Sequence, residues 1–186
     1  KKINYKTNTL IAKHMSKDTH LVFLSTDKVY SPHCKFANEQ SVCKPKTLYG
    51  KLKLQSENVF LKKFNKIHIV RVPIVHGSSK SGSSFIDDVV KKINKGKNVL
   101  VANNIVRSFV KVKDLAKFLV KLCNKKNYGV YNIGTTGESY LKRVNKSLKS
   151  NKKKKLLIPD NNLLIHLQHQ ELVTDKIKQV FNEVFL

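Results

Sequence analysis

Residues 21–57, LVFLSTDKVYSPHCKFANEQSVCKPKTLYGKLKLQSE, join an apolar run, a polar loop and the start of a helix. The run Leu21–Leu24 is continuously apolar, which is typical of a buried parallel strand. The polar residues Ser25-Thr26-Asp27 follow directly where that run ends. Residues 30–47 hold two prolines and many polar groups, and loops of that length inside a domain are usually functional. This stretch therefore predicts a strand, a functional loop and a helix.

Strand-like and helix-like patterns alternate along the rest of the chain. Strands are predicted at residues 67–72, 99–102 and 130–133, and helices at 3–17, 48–64, 85–94, 110–122, 138–148 and 172–185. Gly77–Ser84 shows no periodicity and Lys152–Lys155 is a run of like charges, so both are predicted as turns. The alternation indicates βαβ units, a mainly parallel sheet and one α/β domain.

The charge of the chain is strongly positive, with a formal net charge of +25 over 186 residues. Of the 37 basic residues only three are arginine, whereas proteins that bind nucleic acid usually favour the bidentate guanidinium. We therefore expect solvated surface lysines and no nucleic-acid partner, with a positive field that attracts an anionic small substrate. A basic nucleic-acid-binding module stays as a third alternative, and it would need a basic face with interleaved arginine or aromatic residues.

The three cysteines, Cys34, Cys43 and Cys123, form no C-x-x-C pair, which is typical of a reduced, cytoplasmic protein. A zinc site from His33, Cys34 and Cys43 matches no standard spacing, so no metal site is expected. No apolar run approaches the ~20 residues of a membrane span. No signal peptide is recognisable at the N-terminus, and no membrane partner is expected.

Tyr49 precedes Lys53 by four residues, so the two side chains share one face of the predicted helix. A phenol with an ordinary pKa near ~10 exchanges protons poorly at neutral pH. A neighbouring ammonium favours the phenolate and lowers that pKa, so Tyr49 becomes usable as a general acid–base, with the Thr26 hydroxyl on the proton path. Lysine is so frequent that about one Tyr-x-x-x-Lys pair is expected by chance among the six tyrosines. The segments around the pair therefore decide whether it indicates an active site.

The segments around the pair resemble those of a known family. STDKVY (25–30), PKTLYGKLKLQSE (45–57) and IVRVPIVHG (69–77) are similar to segments of the extended short-chain dehydrogenase/reductases. Within them the likeness is to dTDP-4-dehydrorhamnose reductase and related nucleotide-sugar reductases, epimerases and dehydratases. RSFVKVKDLAKFLVKL (107–122), GVYNIG (129–134) and LVTDKIKQVF (172–181) follow in the family's order. The resemblance implies the C-terminal part of a Rossmann-like doubly wound parallel sheet, with a small α/β substrate-binding subdomain.

The expected organisation is a single partial domain over residues 1–186. Residues 1–76 would form the catalytic half of the Rossmann domain, and residues 77–186 mostly the substrate-binding region, with strands and helices returning to the core. The glycine-rich turn that holds the cofactor diphosphate in this family is missing from the sequence. The chain opens on Lys-Lys with Met15 as its only methionine, so we expect an N-terminally truncated sequence.

The resemblance implies NADP- or NAD-dependent reduction of a nucleotide-linked 4-keto sugar. Tyr49 would donate the proton, Lys53 would hold the nicotinamide ribose and tune Tyr49, and Thr26 would assist. Ser25, Tyr49, Lys53 and the backbone at Pro73, Ile74 and Val75 would contact the cofactor. Asn4 would support Lys53 through water.

The substrate-binding residues expected from the resemblance are Thr26, Asp27, Ile74 and Arg107. Arg107 would meet the substrate diphosphate, although its place in the sequence equally allows an ion pair with Asp114 or Asp87. Ile74 stands where the rhamnose-forming reductases carry a tryptophan near the sugar, which leaves the sugar open. The alternatives are a non-catalytic family member that binds a nucleotide or partner protein, and a nucleotide-sugar epimerase or dehydratase. The resemblance also allows a homodimer.

Overall fold

Strands and helices alternate along the chain, as the sequence predicts. The computed structural model describes residues 2–77, 84–148, 150–163 and 169–182, with side chains described from Tyr5 onward. The helices are α1 Lys2–His14, α2 Leu48–Lys63, α3 Phe85–Asn94, α4 Val112–Cys123, α5 Tyr140–Ser147, α6 Asn151–Lys154 and α7 Asp175–Phe181. The strands are β1 His20–Thr26, β2 Phe36–Ala37, β3 Lys66–Val72, β4 Ile74–His76, β5 Val99–Ala102, β6 Val106–Arg107, β7 Phe109–Lys111, β8 Gly129–Asn132, β9 Glu138–Ser139, β10 Leu157–Asp160 and β11 Glu171–Leu172.

The central sheet has three parallel strands in the order β1-β3-β8. Its register sets Ser25 opposite Arg71 and Thr26 opposite Val72. Because all three strands run the same way, their carboxyl ends meet at one edge, and Thr26 lies there. Ligands of open α/β sheets bind at that edge. The predicted parallel sheet is confirmed.

Helices cover both faces of this sheet. Ile67 and Ile69 of β3 pack with Phe60 of α2 and Ala12 of α1 on one side. Val70 faces the other way, because successive side chains of a strand alternate, and it packs with α4 and α7. The layering is therefore helix, sheet, helix, and the predicted Rossmann-like class is confirmed.

A smaller α/β unit packs beside the sheet and has its own apolar core. Its parallel strands β5 and β10 pair residue by residue, and α3 and α5 cover them. The buried core residues include Ile86, Ile93, Val101 and Val144. Helix α3 starts with a capping box in which Ser84 and Asp87 exchange side-chain-to-backbone hydrogen bonds. We refer to residues 84–109 and 138–160 as the small lobe; the predicted division at residue 76 stays a prediction.

Several predicted boundaries were wrong. The helix predicted from Val110 begins at Val112, because Phe109–Lys111 pairs with β4 as a strand. The helix predicted from Glu138 begins at Tyr140, where the Ser139 hydroxyl caps it. The predicted lysine turn is the short helix α6, which has no buried residue. Most of the predicted turn Gly77–Ser84 lies outside the described residues.

Candidate active site

The start of α2 is fixed against the turn that follows β1. Thr47 caps the helix by accepting a hydrogen bond from the Gly50 backbone N–H at 3.1 Å. A Cβ atom on Gly50 would collide with the carbonyl oxygen of Lys28, so only glycine allows this approach. The close contact brings the first turn of α2, which carries Tyr49, to the end of β1.

Thr26 is buried at the end of β1, whereas the Tyr49 side chain is 51% exposed beside it. The Thr26 hydroxyl donates to Asp27 Oδ1 at 3.2 Å and accepts from the Lys28 backbone N–H at 3.3 Å. Tyr49 lies close enough for the Thr26 side chain to lower the pKa of its phenol. The structure thus brings Thr26, Asp27 and Tyr49 together at the carboxyl edge of the sheet.

The pKa of Tyr49 differs in direction from the sequence expectation. Partial burial raises the pKa of Tyr49, the Thr26 side chain lowers it, and the negative charge of Asp27 raises it further. The expectation that Lys53 lowers the pKa of Tyr49 was therefore wrong. The physical reason is the direction of Lys53: its ammonium donates to the Leu24 carbonyl at 2.7 Å and lies 4.7 Å from the centre of the Phe23 ring.

Lys53 is half-buried between α2 and β1. Burial lowers the pKa of Lys53, and the negative charge of Glu57 raises it again. An ammonium has three N–H donors. One of them binds Leu24, which leaves donors for a ligand at the sheet edge.

A buried polar network beneath the edge was not predicted. Glu57 accepts hydrogen bonds from Arg71 Nη2 at 2.7 Å and Arg71 Nε at 3.2 Å, and from the Ser25 hydroxyl. Arg71 Nη1 donates to the Tyr30 hydroxyl at 2.9 Å, and Tyr30 donates to Asn132 Oδ1 at 2.7 Å. Ser25, expected at the cofactor, is therefore part of this network. The only signal in the sequence was an arginine inside an apolar strand.

Arg107 is 3% exposed and forms an ion pair with Asp27. Gln170 is a second acceptor for its Nη2 atom at 3.4 Å, and its Nε atom has no hydrogen-bond partner among the described residues. The alternative of an ion pair was right in kind but wrong in its partners Asp114 and Asp87, because Asp87 caps α3 and Arg107 pairs with Asp27. The diphosphate contact of Arg107 stays a prediction.

The segment Pro73-Ile74-Val75 leaves the carboxyl end of β3 at the same edge. Pro73 is buried against Gly134, where an added Cβ would lie 2.8 Å from Pro73 Cγ. Gly134 also has a φ of +141°, which favours glycine. Ile74 packs on the core of the small lobe and Val75 on the core around α4. Their predicted place beside the nicotinamide stays a prediction.

A small pocket of about 100 Å³ opens beside Tyr49 and Lys53, between α1 and α2. Asn8 donates to the Ser56 hydroxyl at 2.9 Å in its wall. The other lining residues are Tyr5, Leu48 and Leu52. The side chain of Asn4, expected to support Lys53, lies outside the described side chains.

A second group of buried charges, also not predicted, lies in the small lobe. Arg143 binds Glu138 at 2.9 Å and contacts the His76 ring, and Lys146 binds the other Glu138 oxygen at 2.7 Å. Burial and the positive charges of Arg143 and Lys111 lower the pKa of His76 to about 4. Because Glu138 pairs with Arg107 between β9 and β6, this group adjoins the Asp27–Arg107 pair.

Two further findings concern metal and membrane. Across the described ranges, no group of three histidine, cysteine or acidic side chains could hold a metal ion. Within those same ranges, no helix is both long enough and apolar enough to cross a bilayer. Cys34, Cys43 and Cys123 are free thiols.

A helix–sheet–helix fold with threonine, tyrosine and lysine at the carboxyl edge of a parallel sheet defines a protein of the extended short-chain dehydrogenase/reductase type. Residues 1–154 match the family model of the RmlD substrate-binding domain. The chain belongs to this family, and the resemblance noted in the sequence is confirmed.

Solved structures share the fold. The dTDP-4-dehydrorhamnose reductase of Bacillus anthracis, in complex with NADP, superposes with a TM-score of 0.76 at 21% identity, covering 90% of this chain and 61% of that one. The dTDP-4-dehydrorhamnose reductase of Yersinia enterocolitica superposes with a TM-score of 0.78 at 15% identity, and the match covers 97% of this chain and 66% of that one. The UDP-N-acetylglucosamine 4-epimerase of Bacillus cereus superposes with a TM-score of 0.77 at 20% identity, and the match covers 98% of this chain and 66% of that one.

Curated relatives cover shorter segments. The methionine adenosyltransferase 2 subunit beta of Xenopus laevis is 30% identical over 111 residues, which is 57% of this chain and 32% of the relative. The spore coat polysaccharide biosynthesis protein SpsK of Bacillus subtilis (strain 168) is 28% identical over 121 residues, or 62% and 40%. The matched segment therefore spans less than half the length of either relative.

Proposed function

We propose that this chain carries the proton-transfer and substrate-binding side of an NAD(P)-dependent reductase that acts on a nucleotide-linked 4-keto sugar. The observation that supports it is the half-exposed Tyr49 phenol beside Thr26 at the sheet edge, with Lys53 one helical turn away. Membership of the RmlD substrate-binding family supports the same class of substrate.

The residues present fit the nicotinamide end of such a cofactor. The free donors of Lys53 suit ribose hydroxyls, and Ser25 and the Pro73–Val75 backbone border the same edge. The glycine-rich turn expected for the cofactor diphosphate is not found in the sequence. The bound cofactor would supply the hydride, and the chain would supply the proton.

In this proposal Tyr49 delivers the proton to the substrate carbonyl oxygen. Because its pKa is raised, the phenol carries its proton at neutral pH, and efficient donation would require a nearby positive charge to lower that pKa in the loaded site. Thr26 lies beside the phenol and would stabilise the phenolate that remains by turning its hydroxyl from Asp27 toward Tyr49. The Lys53 ammonium is directed at the Leu24 carbonyl, and it would favour that phenolate by turning toward Tyr49 in the loaded site.

The proposal is tested by NADPH oxidation with a dTDP-4-keto sugar and the purified protein. Tyr49→Phe should lower turnover by at least ~10²-fold, since the proton donor is lost. The matched control is Tyr128→Phe, at the opposite end of the sheet against His20 and His68. Turnover unchanged in Tyr49→Phe, or lowered equally in the control, would refute the role of Tyr49. Product analysis separates reduction from epimerisation or dehydration.

A second candidate is a non-catalytic subunit that binds a partner enzyme. The similarity to the beta subunit of methionine adenosyltransferase 2 supports it. Light scattering with and without a methionine adenosyltransferase catalytic subunit tests it, and the same measurement reads the expected homodimer. A stable complex together with no NADPH oxidation would favour this candidate over the reductase.

A further inference from the structure

We propose that Glu57 is a positioning residue for Lys53: its carboxylate, fixed by Ser25 and Arg71, places a negative charge beside the Lys53 ammonium and holds α2 at the end of β1. This inference rests on the proposed function, because it assigns Lys53 a task that needs the ammonium form. Glu57 itself is 1% exposed and does not line the pocket beside Tyr49.

The first argument is electrostatic. Glu57 follows Lys53 by four residues, so their side chains share one face of α2 at about 5–6 Å between Cβ atoms. Burial lowers the pKa of Lys53, and the charge that opposes this effect is that of Glu57. The carboxylate thus offsets part of the cost of keeping an ammonium between α2 and β1.

The second argument is geometric. Leu24 and Ser25 are adjacent residues of β1, and they contact successive turns of α2. The Leu24 carbonyl accepts from Lys53 at 2.7 Å, and the Ser25 hydroxyl donates to Glu57. Thr26 follows immediately. Glu57 therefore fixes the turn of α2 beyond Lys53 to the residue that precedes Thr26.

The rest of the network fixes Glu57 itself. Arg71 lies opposite Ser25 in the neighbouring strand and binds Glu57 through two nitrogen atoms. Its guanidinium also lies 4.8 Å from the centre of the Tyr30 ring. These contacts hold the carboxylate at a set place below Lys53, which a purely local helix pair would not achieve.

A purely structural role for the Glu57–Arg71 pair makes a different prediction. In that case any substitution in the network would loosen the packing of α2 on β1. The Lys53 titration would then respond in the same way to every such substitution. The positioning role predicts that only a change of the Glu57 charge moves the titration. Tyr30→Phe is the matched control, because it removes two buried hydrogen bonds of the network and alters no charge at neutral pH.

The test is competitive trace acetylation of the purified protein across pH, with the Lys53 peptide quantified by mass spectrometry. Glu57→Gln should shift the Lys53 titration to lower pH, and Tyr30→Phe should leave it in place while lowering the urea midpoint. An unmoved Lys53 in Glu57→Gln, or an equal shift in both variants, would overturn the proposal.

Should Glu57→Gln not fold, the double variant Glu57→Gln/Arg71→Met replaces it, because it leaves no unpaired buried charge. The Lys53 titration should again shift to lower pH. A titration at or above that of the unaltered protein would overturn the proposal.

Activity provides the second readout. Because Lys53 acts as the ammonium, the alkaline limb of kcat/KM should move to lower pH in Glu57→Gln, with about tenfold loss on that limb. A Lys53 shift measured in a protein whose NADPH oxidation is unchanged by Tyr49→Phe would refute the proposed role of the site and leave the electrostatic role of Glu57 intact. An unmoved Lys53 titration in an active enzyme would refute the electrostatic role of Glu57 and leave the reductase function intact.

Discussion

The guanidinium of Arg107 is ion-paired with the carboxylate of Asp27, and both side chains are buried. Asp27 follows the last residue of β1, and Arg107 ends β6 in the small lobe. The pair is thus a direct connection between the carboxyl edge of the sheet and the lobe, made by residues 80 positions apart.

Arg107→Ala should lower the free energy of unfolding by about 3–5 kcal/mol, because it leaves the Asp27 carboxylate buried without its partner. Urea denaturation measures the loss. Lys113→Ala, an exposed site on α4, is the control and should stay within ~0.5 kcal/mol. A loss in Arg107→Ala as small as that of the control would show that the pair is not buried in solution.

Asp27→Asn should lower the pKa of Tyr49. The Asp27 charge contributes to the raised pKa of this phenol, and the unpaired Arg107 left behind would favour the phenolate further. The tyrosinate absorbance of Asp27→Asn is titrated against that of Asp27→Asn/Tyr49→Phe, and the difference isolates Tyr49. A Tyr49 titration at or above that of the unaltered protein would contradict the described contact.

Acid should destabilise the fold through His68. This side chain is fully buried and bonded to the His20 ring at 2.9 Å; burial first, and then the electrostatic interaction with His20, lower the pKa of His68 to about 4. The folded pKa lies below the ordinary value of 6.5, so the folded state binds fewer protons. Stability is therefore complete above pH ~6.5 and falls, by up to about 3 kcal/mol, as pH drops to about 4.

The measurement is urea denaturation at pH 7 and at pH 4.5. His68→Leu should reduce the pH dependence, and the exposed control His33→Gln should retain it. His76, whose pKa is also about 4, should contribute a separate loss of the same sign. An equal pH dependence in His68→Leu would contradict the assignment to His68.

Gly50→Ala should destabilise the protein by about 1–3 kcal/mol, because the new methyl group would meet the Lys28 carbonyl. The start of α2 must then move away from β1, so turnover should fall together with stability. Lys51→Ala, the exposed neighbour, tests whether the helix itself tolerates alanine. Full activity and stability in Gly50→Ala would mean that α2 does not approach the turn so closely.

The central elements could be predicted because their signals are local. Leu21–Leu24 and Ile67–Val72 are continuous apolar runs, and α2 and α3 have helical periodicity and recognisable caps, so each prediction fell within a few residues. The strands β6, β9 and β11 have two residues each. Two residues carry no periodicity, and pairing with distant segments alone makes them strands.

The candidate site also combines residues identified by local sequence signals with contacts that depend on tertiary packing. Thr26, Tyr49 and Lys53 were singled out by a strand end, a four-residue spacing and the family resemblance of the surrounding segments, and their roles stay predictions. The direction of Lys53 toward Leu24 depends on how α2 packs on β1. The partner of Arg107 depends on how the small lobe meets the sheet. Neither packing is encoded in spacing, so the pKa direction for Tyr49 and the ion-pair partner were wrong.

The end of β1 also fixes how the strand is aligned. The Leu24 carbonyl accepts from Lys53, the Ser25 hydroxyl donates to Glu57, and the Thr26 hydroxyl lies beside Tyr49. Side chains alternate along a strand, so a slip of one residue against β3 would turn the Ser25 and Thr26 hydroxyls to the wrong faces and move the Leu24 carbonyl away from Lys53. A misaligned chain would lose all three contacts at once. A sheet in which β1 is shifted by one residue would thus lack the contacts of Leu24, Ser25 and Thr26 that support the candidate site. An active molecule is therefore also a correctly aligned one.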